Sequence, residues 1–165
     1  MAVVSLKSTQ ITNRDATPSV RSNAVQGNPV QHARGVISGG VADSIASKYT
    51  FCSIPSNAKV TSVRLTSTGT GTVGATDIGL YKTTAAGGAV VDADLFASAQ
   101  LLTTALTKSE LIFESAVITK ANSEKAVWEH LALTSDPGIT YDVVATLTAA
   151  VDAAHDMLLE IDYTQ

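Results

Sequence analysis

Cysteine is almost absent from this chain: Cys52 is the only one in 165 residues, so no intrachain disulfide and no cysteine-based metal cluster can form. Stability must come from packing or assembly. No stretch reaches the roughly 18 apolar residues that a membrane-spanning helix needs. The opening MAVVSLKSTQ has neither the long apolar run nor the small-residue cleavage pattern of a secretory signal. No N-x-S/T glycosylation acceptor occurs either. These absences lead to the expectation of a protein made and kept, or assembled, in a cytosol, with no membrane as partner.

Aromatic residues are also scarce, at 5%, although 45% of the chain is hydrophobic. Much of that share is Ala and Val, so the core is expected to be built from small and β-branched side chains, which favours sheet over helix bundle. Stretches of Glu, Lys, Leu and Arg at a 3.6-residue period are short and few.

The net charge of −4 conceals an asymmetry. Residues 1–35 carry Lys7, Arg14, Arg21 and Arg34 against Asp15 alone, a side-chain charge of +3, whereas the rest holds seven bases and fourteen acids, −7. The leader has no aromatic residue, and four dispersed bases do not make the dense basic stripe of a nucleic-acid binder. Nucleic acid is therefore not expected as a partner, and an acidic protein surface suits the leader better. Pro18, Gly27 and the Asn28-Pro29 pair interrupt any helix there. Val3, Val4, Leu6, Ile11, Val20 and Val25 are nevertheless more apolar than a solvating tail usually carries. Two readings remain: a disordered terminus, or an extended N-terminal arm over residues 1–35 that orders against a neighbour. On the second, Val3, Val4, Leu6, Ile11, Arg14, Val20, Arg21, Val25 and Arg34 are the candidate partner contacts.

From Val36 the pattern changes. YTFCSIP and KVTSVRLTST are β-branched and aromatic and are separated by the turn cluster Pro55-Ser56-Asn57. In the second, Thr61, Val63 and Leu65 are assigned to one face, and Ser62 and Arg64 to the other. YDVVATL places Tyr141, Val143, Ala145 and Leu147 together, and DMLLEIDYT does the same for Met157, Leu159, Ile161 and Tyr163. Pro137-Gly138 has the order of a type II turn. Two segments look helical: VDADLFASAQLL, with Asp94 as N-cap and Leu95, Ala99 and Leu102 on one face, and NSEKAVWEHLAL, stacking Val127, Trp128 and Leu131. The second also fits a strand. Many short strands without βα alternation predict a mainly β protein, a jelly-roll-like antiparallel β-sandwich over residues 36–165 with one or two short helices.

Residues 69–74, GTGTVG, have the G-x-G-x-x-G spacing of a pyrophosphate loop. That fingerprint needs a helix beginning within the loop, whose free N–H groups hold the anion. The next residues are instead ATDIGLYKTT, a strand pattern in which Ile78 and Leu80 alternate with Asp77, Gly79 and Tyr81. The reading is a flexible connection in which glycine lets the chain turn. Asp92 and Asp94 offer hard oxygens for a divalent cation, but a helix cap beside a turn is the expected use. His32, His130 and His155 lie in no metal-ligand motif, and no G-x-S-x-G elbow occurs. Cys52, in mid-strand, reads as a small inert hydrophobe, and Trp128 as a core anchor. No catalytic residue, cofactor or metal is therefore assigned, and no enzymatic activity is expected.

Three stretches, SKYTFCSIPSNAKVTSVRLTS, TDIGLYKTTAAGGAVVDADLFASAQ and AVWEHLALTSDPGITYDVVATLTAAVDAAHDMLLEIDYTQ, together resemble the capsid decoration, or cement, proteins of tailed bacteriophages. The resemblance covers roughly residues 36–165, and its most specific part is DIGLY, a Gly-Gly turn and VVDADLFAS. It implies a jelly-roll-like sandwich on the outer surface of a capsid assembled in the host cytoplasm. It further implies a small homo-oligomer, usually a trimer, that binds the major capsid protein and clamps neighbouring capsomers. The leader matches no family pattern. The alternative is a β-sandwich binding module, a tail or fibre component or a receiver of host glycans, although one Trp and seven other aromatics mostly at strand positions offer few ligand-stacking residues.

Overall fold

The structure is a computed structural model that describes residues 29–165. The described residues form eight strands: β1 (Gln31–Gly39), β2 (Lys48–Pro55), β3 (Lys59–Ser67), β4 (Ala75–Lys82), β5 (Val90–Leu101), β6 (Leu106–Glu110), β7 (Thr140–Ala149) and β8 (His155–Thr164). A single helical turn, α1 (Val127–His130), lies in the long connection between β6 and β7. The strands make two four-stranded antiparallel sheets, in the orders β1-β8-β3-β6 and β2-β7-β4-β5. Strand 1 pairs with 8, 2 with 7, 3 with 6 and 4 with 5, as though one long hairpin had been wrapped around a core. That pairing is a jelly roll, the architecture expected from the many short alternating strands.

Alternation explains most of the core. Met157, Leu159, Ile161 and Tyr163 of β8 are buried, as are Tyr141, Val143, Ala145 and Leu147 of β7 and Ile78 and Leu80 of β4. In β3 the phase differs from the simple period of two. The register shifts between Val60 and Ser62 at a bulge, so Val60 is buried and Thr61 is exposed. An inserted residue turns every side chain before it to the opposite face.

The segment expected to be a helix with Asp94 at its cap is strand β5 instead. Between the pairs Leu80↔Asp92 and Ile78↔Ala97, β4 advances two residues while β5 advances five. The surplus is a large bulge, and it carries three consecutive residues, Leu95, Phe96 and Ala97, fully into the core. The helix-like spacing of Leu95, Ala99 and Leu102 is thus the trace of a broken two-residue period. Glycine makes the bulge possible: a Cβ on Gly79 would stand 2.1 Å from the Asp92 carbonyl oxygen and 2.4 Å from the Ala93 carbonyl carbon.

The second helical expectation survives as α1 alone. The Glu129 carboxylate accepts from the Ala126 backbone N–H at 2.7 Å, closing its first turn. Val127 is the residue it buries. Trp128, expected as a core anchor, is only half-buried, and its backbone N–H donates to the Ser56 carbonyl oxygen. Cys52 lies in β2, and burial pushes its thiol up to about 11, which keeps it protonated and unreactive near neutrality.

Candidate interaction surface

Of the candidate arm contacts, Val3, Val4, Leu6, Ile11, Arg14, Val20, Arg21 and Val25 lie outside the described residues. Arg34 is described: it is exposed on the outer face of β1, in register with Glu160. β1 begins at Gln31, so the last residues of the segment read as an arm run in a strand at the edge of the first sheet. On the same outer face Asp162 accepts from Arg64 at 2.7 Å and lies 2.7 Å from the His32 ring nitrogen Nδ1. These partly exposed charges tie β1, β8 and β3 together across their outer surface; exposed pairs of this kind stabilise by about 1 kcal/mol or less.

Asp92 and Asp94 lie in β5 rather than at a helix start, so the capping role expected for them does not hold. The Asp94 N–H donates to the Asp92 carboxylate at 3.3 Å, and burial pushes the Asp92 carboxyl above the usual range. Among the described residues, no group of three or more His, Cys, Asp or Glu side chains is arranged to hold a metal ion. His155 is 3% exposed, with its ring 5.7 Å from that of Tyr49, Nδ1 at 3.2 Å from the Ala153 carbonyl oxygen and no hydrogen-bond partner for Nε2.

The distinctive surface is an end of the sandwich. The connections from odd to even strands, residues 40–47, 68–74, 102–105 and 150–154, gather there. They are cross-tied by their own backbone: the Val151 N–H donates to the Asp43 carbonyl oxygen at 3.1 Å, and the Thr70 N–H to Leu102 at 2.8 Å. The Ala153 N–H reaches Thr70 at 3.1 Å. Two carboxylates complete the network. Asp43 accepts from the Tyr49 hydroxyl and the Gly40 N–H, and Asp152 accepts from the Thr72 hydroxyl and its N–H. GTGTVG is therefore a strand connection, as its context indicated, but it is pinned rather than flexible. Gly71 has φ +96, and a Cβ there would meet the Asp152 carboxylate at 2.0 Å.

This tied end carries exposed apolar side chains: Val41 at 65%, Ile45 at 62%, Val73 at 47% and Leu101, at the end of β5, at 63%. Ala42 and Ala46, which flank two of them, both have φ +71, a left-handed conformation costing a non-glycine residue about 1–2 kcal/mol. The loop keeps it because the Ala46 N–H is held by Leu147 at 2.8 Å and the Ser47 N–H by Ser44 at 3.1 Å. The same pairing of a left-handed alanine with an exposed apolar neighbour recurs in the β6–β7 connection, at Ala116–Val117 and Ala132–Leu133; what sets the loop end apart is that its four connections are hydrogen-bonded to one another and to the strand ends. Sequence patterning does not single out these residues, because Val41, Ile45, Val73 and Leu101 fall on separate segments with no shared period.

The carboxylates give the fold a pH dependence with a definite sign. Hydrogen bonds from Tyr49, Ser56 and Thr72 hold Asp43, Asp136 and Asp152 below the ordinary carboxylate value of 3.8. A carboxyl whose folded value lies below its unfolded value contributes stability above about 3.8, which is lost as pH falls through the folded value. Asp92, pushed upward, works in the opposite direction and is outnumbered three to one. The urea midpoint is expected to be level down to about pH 5 and to fall steeply below pH 4. In Asp152→Asn that acid-side fall should be shallower; a variant with the parent's slope would show that Asp152 contributes nothing to it.

No protein-family model matches the chain, and no curated protein matches it. Among solved structures it is similar to a chain described as part of the capsid asymmetric unit of cyanophage Pam1, with a TM-score of 0.48 and 17% identity over 84% of this chain and 86% of that one.

Proposed function

We propose that this chain is a structural protein of a bacteriophage virion that binds the outer surface of the capsid and stabilises contacts between capsomers. The observation that carries the reading is the tied loop end with exposed Val41, Ile45, Val73 and Leu101, a preorganised apolar surface suited to a protein partner. The eight-strand jelly roll is shared by capsid, lectin and cupin domains, so the fold alone does not choose among them. The resemblance to decoration proteins supplies the choice. Its three stretches run through β2 and β3, β4 and β5, and α1 with β7 and β8, the strands that build both sheets.

In this reading the major capsid protein is the partner and the chain acts by mass action. Binding the mature shell better than its precursor stabilises the mature form, and repetition around a homo-oligomer, a trimer by the resemblance, supplies avidity. The chain takes no part in catalysis, and the apolar, basic leader adds contacts across a seam between subunits. Ordering such a leader costs about 1–2 kcal/mol per residue, so it must bury apolar side chains to contribute.

Co-sedimentation of the full chain with purified mature capsids tests the reading. Saturable binding and a raised temperature of capsid disruption are expected, with density on the outer surface at three-fold or quasi-three-fold positions. A chain that stays in the supernatant beside mature shells would overturn it and favour the binding-module alternative.

A further inference from the structure

We infer that a groove at the end of the sandwich opposite the tied loops seats residues 20–28 of the chain's own leader. The seat fixes the root of the leader to its own body and leaves residues 1–19 to reach a neighbour. Val60 lies at the start of β3 and the tied loops begin at Thr68, about 25 Å along the strand at 3.3 Å per residue, so the two surfaces are separate.

The groove is a hollow of about 250 Å³ lined by Val60 and Thr61 of β3, by Ile112 and Phe113, which follow β6, and by Ser123 and Glu124. Val60 and Ile112 belong to the buried core, whereas Phe113 is 46% exposed. Of the eight aromatic residues in the chain, Phe113 alone is exposed; Trp128 is half-buried and the other six are buried. A phenylalanine left in water beside a hollow gains from an apolar segment that fills it. Glu124 in the wall adds a negative charge, so the fitting occupant is apolar and basic.

Position selects the leader. Gln31 and Val60 are both in register with Tyr163, so Val60 stands two strand spacings, about 10 Å, from the residue where β1 begins. Six extended residues span about 20 Å. Val25, six residues before Gln31, therefore reaches the hollow, with Arg21 and Val20 close behind it. Charge agrees: residues 1–28 carry Lys7, Arg14 and Arg21 against Asp15, 3 − 1 = +2. Tethering then selects the chain's own leader over that of a second copy. A segment joined to its site by a short linker meets it at an effective concentration of about millimolar, far above that of free chains in dilute solution.

Limited trypsin digestion of the full chain, without capsids, tests this. Seating is expected to slow cleavage after Arg21, and Phe113→Ser or Val25→Ser to restore it by about tenfold. Cleavage after Lys7 and Arg14 should be the same in all three chains. Val25 lies outside the sandwich, so its variant is free of any effect that Phe113→Ser has on folding. A photo-crosslinking residue at Ser123, in a mixture of light and heavy isotope-labelled chains, is expected to capture residues 20–28 of the same chain. Light–heavy hybrids at that position would give the groove to a second copy, and cross-links to residues 1–19 would give it to another part of the leader. Either result, or cleavage after Arg21 as fast in the parent as in both variants, would overturn the inference. Capsid binding rests on the opposite end of the sandwich and is measured with shells present, so either reading can fail while the other stands.

Discussion

Replacing Phe96 by alanine is expected to lower the free energy of unfolding by about 3–5 kcal/mol, a large part of the 5–15 kcal/mol typical of a domain. Phe96 is fully buried, and it is the largest of the fully buried side chains. It enters the core from the β5 bulge, where Leu95 and Ala97 are buried beside it. Collapse of the cavity would require the bulge to move, and the bulge is held on both sides. The Ser98 N–H donates to the Glu114 carboxylate at 2.6 Å, and the Ser115 hydroxyl to the Leu95 carbonyl oxygen at 2.6 Å. The cost therefore lies toward the upper part of the range for a site that relaxes little. Urea denaturation followed by circular dichroism measures it, and Phe96→Leu, which keeps most of the volume, should lose far less. Equal losses in the two variants would mean that Phe96 does not fill the space assigned to it.

Gly79→Ala is expected to destabilise the fold on the order of 3 kcal/mol through overpacking. The added methyl would stand within 2.5 Å of three backbone atoms, the Asp92 oxygen and the carbonyl carbon and oxygen of Ala93. Backbone in a paired strand cannot swing aside as a flexible side chain would, so β5 must lift from β4. Gly88→Ala is the informative comparison. Gly88 has φ +61 and open space around its Cβ position, so its cost is conformational, about 1 kcal/mol. Thermal melts should rank Gly79→Ala well below Gly88→Ala. The reverse order would show that β4 and β5 do not approach so closely.

Both effects arise where the sequence was hardest to read. In VDADLFASAQLL the fully buried residues are Leu95, Phe96 and Ala97 in succession, with Leu102 beyond them, where β5 bulges out of the two-residue period. A bulge exists only in relation to a partner strand, here β4, and that partner's glycine at 79 is what admits it. The same reason moved Val60 to the core and Thr61 to solvent. By contrast, the residues assigned inward at a period of two, Tyr141, Val143, Ala145 and Leu147 of β7 and Met157, Leu159, Ile161 and Tyr163 of β8, are all buried and were legible from the chain alone, although Val144 of β7 is buried as well. GTGTVG was legible in kind, because no helix succeeds it, but its rigidity comes from Asp152, eighty residues away in sequence.

The candidate surface divides in the same way. Local chemistry, the charge and apolar content of the leader and the two-residue alternation, belongs to the sequence, since each depends on neighbours along the chain. That chemistry was enough for the mainly β class, the jelly-roll-like architecture and an apolar, basic leader on an acidic body. Only the tertiary structure decided which strands pair, where they bulge, and that four loops distant in sequence assemble into one hydrogen-bonded apolar end. Those outcomes depend on backbone approach and long-range hydrogen bonds, which arise when the sheets close on each other and leave no periodic mark in the residues that make them.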